Sequence, residues 1–272
     1  MNIKKGIELT NEEFFFLASL FRCNALIGVP DPFLGYWIEE IEAGMKRAAG
    51  SLVQKGYIVY KNDEPELMPE LLEYMRICTK TNMTFWLQSE RGGKQEECYF
   101  YLSARKVIES RVFEEGDRLS YVLRERGNPA QTWNEILDMM RPQEKPPIYD
   151  GTITLPLEVF ADLLDEREYY SVKHIGDILQ KKNVPREMAS ILAKAIKECE
   201  YYGQFTAFYH IKGEWRINNL RLLCHEGGNW IATNIEKQYM EYVELRSVSC
   251  SEFLNEMKNV IIRTKQPSIS II

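Results

Sequence analysis

The chain is 272 residues long, 45% hydrophobic and 12% aromatic, enough apolar material for one large domain or two closely joined halves. A net charge of −6 and the lack of any basic run argue against a nucleic-acid partner, since phosphate binding needs a basic stripe. Six cysteines at 23, 78, 98, 199, 224 and 250 form no CxxC pair and do not alternate with histidine at metal spacing, which suits a reducing compartment; Cys78, Cys98, Cys199 and Cys224 read as small buried apolar groups.

At the N-terminus, Ile3 to Leu9 reads as an extended lead-in. Glu12, Glu13 and Arg22 break up the apolar run behind Lys4-Lys5, which argues against a secretory signal. No window reaches the roughly 18–20 apolar residues of a membrane span, and a cytoplasmic location is expected. Thr10-Asn-Glu-Glu13 is a capping box that opens a helix over Asn11 to Phe21. Leu34, Ile38, Ile41, Met45, Ala48 and Leu52 recur three or four apart and predict a helix from Leu34 to Lys55, stopped by Gly56. Tyr57 to Tyr60 is a short strand, and a further helix starts at Pro65 or Pro69 and runs to about Lys80. Helix, helix and short strand are compatible with a winged helix, but the acidic balance leaves no face to read DNA.

Strands follow at Met83–Ser89, Glu97–Ala104, Val107–Glu114 and Asp117–Arg124, with Gly92-Gly93 and Glu115-Gly116 as turns. Thr132-Trp-Asn-Glu135 reads as a second capping box, and Arg141 to Gly151, with three prolines, as a linker. Helices resume at Pro156–Leu164, Ser171–Lys181 and Pro185–Tyr202. A second set of four strands occupies Gln204 to Arg246, with turns at Lys212-Gly213 and Gly227-Gly228. Arg221 shares the parity of Trp215 and Ile217, which predicts a bulge near Asn218-Asn219. Ser249-Cys-Ser-Glu252 caps a last helix to about Arg263, and the tail Pro267 to Ile272 is frayed or an added edge strand.

The two halves repeat one order: helices, four antiparallel strands with a glycine turn after the first, and a capped helix. The expected fold is therefore α+β, with two pseudo-twofold-related halves, 1–145 and 146–272, each a four-stranded antiparallel meander flanked by helices. Joining the two sheets would cover one edge of each.

The segments IELTNEEFFFLASLF, SLVQKGYIVY, ELLEYMRICTKTNMTFWLQ, AKAIKECEYYGQFTAFYHI and RLLCHEGGNWIATNI together resemble the EspG-type substrate chaperones of type VII (ESX) secretion, over roughly Ile7 to Ile262. One departure is Gly228-Asn229, where that family often has Gly-Arg before the third strand of the second half. The resemblance implies a non-enzymatic cytoplasmic adaptor with no cofactor. It would hold a helical-hairpin secretion substrate or a toxin's helical export domain, keep it soluble and hand it transiently to the machinery at the membrane, without inserting itself. A low-GC Gram-positive relative escorting a toxin fits the Lys-, Ile- and Glu-rich composition.

No HExxH, GxSxG, P-loop or GxGxxG motif is present, and His174, His210 and His225 fall in a helix, a strand and a turn. Glu-Arg-Gly-Gly-Lys (90–94) leads from strand to strand rather than to a helix, so it is a hairpin and not a phosphate loop. The aromatic residues are read mainly as core. Tyr169-Tyr170 stands out, because no structural role calls for two aromatics in an Asp/Glu-rich loop. The family's docking region maps onto the helices from Pro156 to Lys181 and the strand from Trp215. The expected partner contacts are Leu163, Tyr169, Tyr170, Ile175 and Trp215, rimmed by Asp162, Asp165, Glu166 and Glu168. An alternative from another class is an immunity or inhibitor protein that binds a toxin's catalytic domain.

Overall fold

A computed structural model describes residues 6–23, 26–116, 118–237 and 240–265. The first half runs β1 (Ile7–Thr10), α1 (Asn11–Leu20), α2 (Ile38–Gln54), β2 (Ile58–Lys61), β3 (Glu64–Leu67), α3 (Pro69–Lys80), β4 (Met83–Arg91), β5 (Lys94–Leu102), β6 (Val107–Glu115), β7 (Arg118–Glu125) and α4 (Pro129–Met140). The second runs β8 (Thr152–Pro156), α5 (Leu157–Asp165), α6 (Val172–Lys181), α7 (Arg186–Lys197), β9 (Tyr201–Ile211), β10 (Glu214–His225), β11 (Gly228–Lys237), β12 (Met240–Val248) and α8 (Cys250–Lys265). The fold is α+β, and each half contains the expected four-stranded antiparallel meander.

Each meander also gains a fifth strand from its own start. β1 pairs with β7 (Ile7 opposite Leu123, Leu9 opposite Tyr121), and β8 pairs with β12 (Ile153 opposite Leu245, Leu155 opposite Val243), both antiparallel. The strand orders β1-β7-β6-β5-β4 and β8-β12-β11-β10-β9 are therefore the same. β1 was expected only as a lead-in, and β8 sits at the end of the proline-rich stretch. Both are short, and one alternation in each, Ile7 with Leu9 and Ile153 with Leu155, is the sequence signal.

By packing, the chain forms two compact units. One comprises the chain to Trp86, Glu96–Glu135 and Phe208–Glu214; the other comprises Leu87–Gln95, Ile136–Ala207 and the chain from Trp215. The core of the first includes Phe14, Leu17, Leu52, Met75, Tyr101 and Tyr121. There Thr10 and Glu13 form the predicted capping box, and the buried Glu13 carboxylate also accepts from Ser51 Oγ at 2.7 Å and Lys55 Nζ at 2.6 Å. A buried carboxylate is tolerated because every oxygen has partners.

In the second unit the sheet has two dressed faces. Leu223, Trp230, Ala232, Val243 and Leu245 pack with α5, α6 and α7. On the opposite parity Arg246 reaches Glu256 of α8 at 3.1 Å, and Asn218 donates to Thr264 of α8 at 3.2 Å.

Several boundaries differ from the sequence reading. α2 starts at Ile38 rather than Leu34, because Gly35 takes φ +88° and turns the chain before the helix. α4 starts at Pro129, three residues ahead of the expected cap Thr132. Asn128 Oδ1 accepts from Gln131 N–H at 3.0 Å, and the proline at the first helical position needs no hydrogen bond. α7 ends at Lys197, and β9 begins at Tyr201 instead of Gln204. β2 is joined by an unexpected partner, β3, across an Asn62-Asp63 turn with both φ values positive (51° and 63°). The tail from Pro267 lies outside the described residues.

The proline-rich stretch is no free linker. Ile148 N–H donates to Ser247 Oγ at 2.7 Å, Gln143 is held by Asn229, and Lys145 Nζ donates to the Glu226 carbonyl. Gly228 makes room for it: a Cβ there would lie 3.2 Å from Ile148 Cγ1.

Candidate partner-binding surface

α5 ends in the segment Glu166–Tyr170, which is short and heavily tied down. Lys197 Nζ, from α7, donates to the carbonyls of Arg167 (2.9 Å) and Glu168 (3.0 Å). The Arg167 guanidinium donates to the Leu164 carbonyl at 2.7 Å and pairs with Glu90 at the end of β4. Ser171 then caps α6, accepting from His174 N–H at 3.1 Å. With its ends held, this loop presents Tyr169 at 83% exposure.

The five expected contacts separate into three environments. Tyr169 is a free-standing aromatic at the loop tip. Tyr170 is half-buried: it packs on the helical core and its ring lies 4.8 Å from that of His174, so it anchors the loop. Leu163 and Ile175 are fully buried members of that core. This corrects their assignment as contacts. They lie on the inner stripe of amphipathic helices, and helix periodicity alone does not say which apolar stripe stays uncovered. Trp215, at the start of β10, is exposed (46%), as is Ile217 two residues on.

The same parity carries Trp215, Ile217, Asn219, Arg221 and Leu223. α5–α7 cover the Leu223 end and leave the Trp215 end open. The bulge predicted at Asn218-Asn219 is not needed: Asn218 faces α8 and Leu223, an odd step away, faces α5–α7, as unbroken alternation requires. Arg221 sits on the half-covered part of the face, where Nε donates to Gln204 Oε1 at 3.0 Å and Nη1 bonds Asn234 Oδ1. Between this polar strip and α5 lies a cleft of about 230 Å³, lined by Gln88, Phe160, Asp165, Arg167, Gln204 and Arg221 among others. Asp162, Asp165, Glu166 and Glu168 are exposed around the loop.

The C-terminal half thus carries an exposed apolar pair on a strand, a polar cleft and a rigidly held tyrosine beside acidic side chains, all of them kinds of feature found at protein interfaces. Among the described residues no group of three or more His, Cys, Asp or Glu side chains is placed to hold a metal ion. Nor, among the described residues, is any helix long and apolar enough to cross a membrane. His225 is buried at the end of β10, accepts from Gly227 N–H at 3.1 Å through Nδ1, and faces no nucleophile in a bond. Burial lowers its pKa below the ordinary histidine value.

Among solved structures the chain is similar to EspG5, the type VII secretion system chaperone of Mycobacterium tuberculosis, determined in complex with a PE25–PPE41 dimer. The superposition has a TM-score of 0.57 at 11% identity and covers 96% of this chain and 97% of that one, so the two share a fold over nearly their full lengths. HtdX, from the same bacterium, aligns with a TM-score of 0.15 at 11% identity over 90% of this chain and 98% of that one, which carries no argument. No protein-family profile and no curated protein matches the sequence.

Proposed function

We propose that this protein is a non-enzymatic, cytoplasmic chaperone or adaptor that binds a helical type VII secretion substrate, either a WXG-type hairpin or the helical export domain of a toxin, and keeps it soluble for export. The observation that carries the reading is the fold shared with EspG5 over 96% of the chain. The surface of the C-terminal half (146–272) supports it: Tyr169, Trp215 and Ile217 are apolar groups that a helical tip can cover. The acidic side chains beside Tyr169 favour a basic rim on the substrate, which speeds encounter more than it tightens the complex.

Titration calorimetry of the purified protein against a secreted helical-hairpin protein from the same organism tests this reading. A saturable one-to-one complex is expected. Binding only to a toxin's catalytic domain would replace it with the inhibitor reading, and no binding to either would remove both.

A further inference from the structure

The most exposed apolar segment of the described chain lies outside the surface above, in the turn before α2. Leu34 (85%), Tyr36, Trp37 (78%) and Ile38 are all exposed, in a run of five residues. Their exposure is built rather than frayed. The neighbouring Phe33 is buried against Gly44, where a Cβ would lie 2.3 Å from its ring, and it meets Phe15 edge-on at 5.8 Å. Asp31 Oδ1 accepts from Phe33 N–H at 2.8 Å, Tyr36 N–H donates to the Phe33 carbonyl at 3.0 Å, and Glu40 Oε2 accepts from Trp37 N–H at 2.9 Å. Phe33 is the anchor, and the other four side chains form a preformed apolar knob.

The outer face of α2 continues from this knob through Glu39, Glu42, Ala43, Lys46, Arg47, Gly50 and Val53, all exposed. Its charges are segregated, acidic at the start and basic in the middle. Glu39, Glu42, Lys46 and Arg47 form no ion pair among the described residues. We propose that this face is a homodimer interface, in which α2 pairs antiparallel with α2 of a second copy across a twofold axis at Ala43.

Self-complementarity is the reason for choosing a second copy. An isologous contact needs a patch that matches itself when reversed. Glu39 and Arg47 lie four residues either side of Ala43, about 6 Å along the axis at the helical rise. Reversal therefore sets Glu39 of each copy opposite Arg47 of the other, twice. The same register lands the Leu34–Trp37 knob on Gly50, which has open space above it, and on the exposed Val53. Small Ala43 at the crossing lets the helices approach closely. An anionic membrane surface fits less well, because the acidic first turn borders the knob. One helix face with a four-residue knob is a small interface beside those of permanent dimers, so the dimer should be reversible in the micromolar range.

Sedimentation velocity on the full chain across the micromolar range tests the proposal, with thermal melts confirming that each variant folds. The wild type should show a concentration-dependent dimer. Trp37→Ala should weaken it at least about tenfold. Glu39→Lys and Arg47→Glu should each weaken it alone, because like charges then face each other, while mixing the two variants should restore it as a heterodimer. A wild type that stays monomeric overturns the proposal, as does a dimer indifferent to all three substitutions. Neither result bears on substrate binding through the Tyr169 surface, because the two faces share no residue.

Discussion

The side-chain amide of Asn229 and the backbone of Gln143 close a ring of two hydrogen bonds. Gln143 N–H donates to Oδ1 at 2.7 Å, and Nδ2 donates to the Gln143 carbonyl at 2.8 Å. Asn229 is completely buried, and the pair fastens the proline-rich stretch to β11. Asn229→Ala leaves a backbone donor and acceptor unpaired and should lower the unfolding free energy by about 1–3 kcal/mol in urea denaturation. An unchanged midpoint would mean that water replaces the amide.

The two tyrosines of the α5–α6 loop should behave differently. Tyr169→Ala should weaken substrate binding by about 2 kcal/mol or more if Tyr169 is an anchor, with thermal stability unchanged. Tyr170→Ala removes packing against the core and His174 and should instead lower stability, by about 1–3 kcal/mol for a half-buried ring. Paired calorimetry and melting curves on both variants separate the roles.

His225 makes stability depend on pH. Its folded pKa lies below the ordinary value of 6.5, so below that value the unfolded chain binds the extra proton more readily than the native one. Its stabilising contribution is present above pH 6.5 and is lost as pH falls through that value towards the folded pKa. Denaturant midpoints from near-neutral to mildly acidic pH should fall for the wild type and fall less steeply for His225→Gln. Parallel curves would assign the slope to carboxylates.

The six cysteines are free thiols. Burial is the main cause that pushes Cys98 and Cys224 up to about 12, and Cys199 and Cys250 up to about 11, while Cys78 is raised further still. A thiol reagent near neutral pH should therefore react slowly with these five in the native protein and find six groups after denaturation without reductant. Fewer than six would reveal a disulfide.

Glu109 is buried on β6 and bridges two arginines: Arg126 binds it through two bonds of 3.0 and 3.1 Å, and Arg111 at 3.3 Å. Glu109→Gln keeps the shape and removes the charge, and both guanidinium groups stay partly solvated. The expected loss is about 1–3 kcal/mol by denaturation, smaller than for a fully enclosed ion pair.

The sequence alone determined the parts of this protein that depend on local chemistry. Thr10 and Glu13, like Ser249 and Glu252, make the capping boxes their spacing requires. Lys212-Gly213 turns with both φ values positive, and the period-two runs became the two meanders. What tertiary structure decided was which apolar surface is covered. Leu163 and Tyr169 are six residues apart, yet one is core and the other is the exposed tip, because α6 and α7 close over the first and Lys197 props out the second. Leu34 and Leu52 extend a single helical stripe in the sequence. Phe33, seated on Gly44, and the turn at Gly35 lift Leu34 into solvent while Leu52 is buried. Periodicity records that a side chain is apolar and on which face it lies. Whether another element arrives to cover that face depends on contacts distant in the chain, which no local pattern encodes.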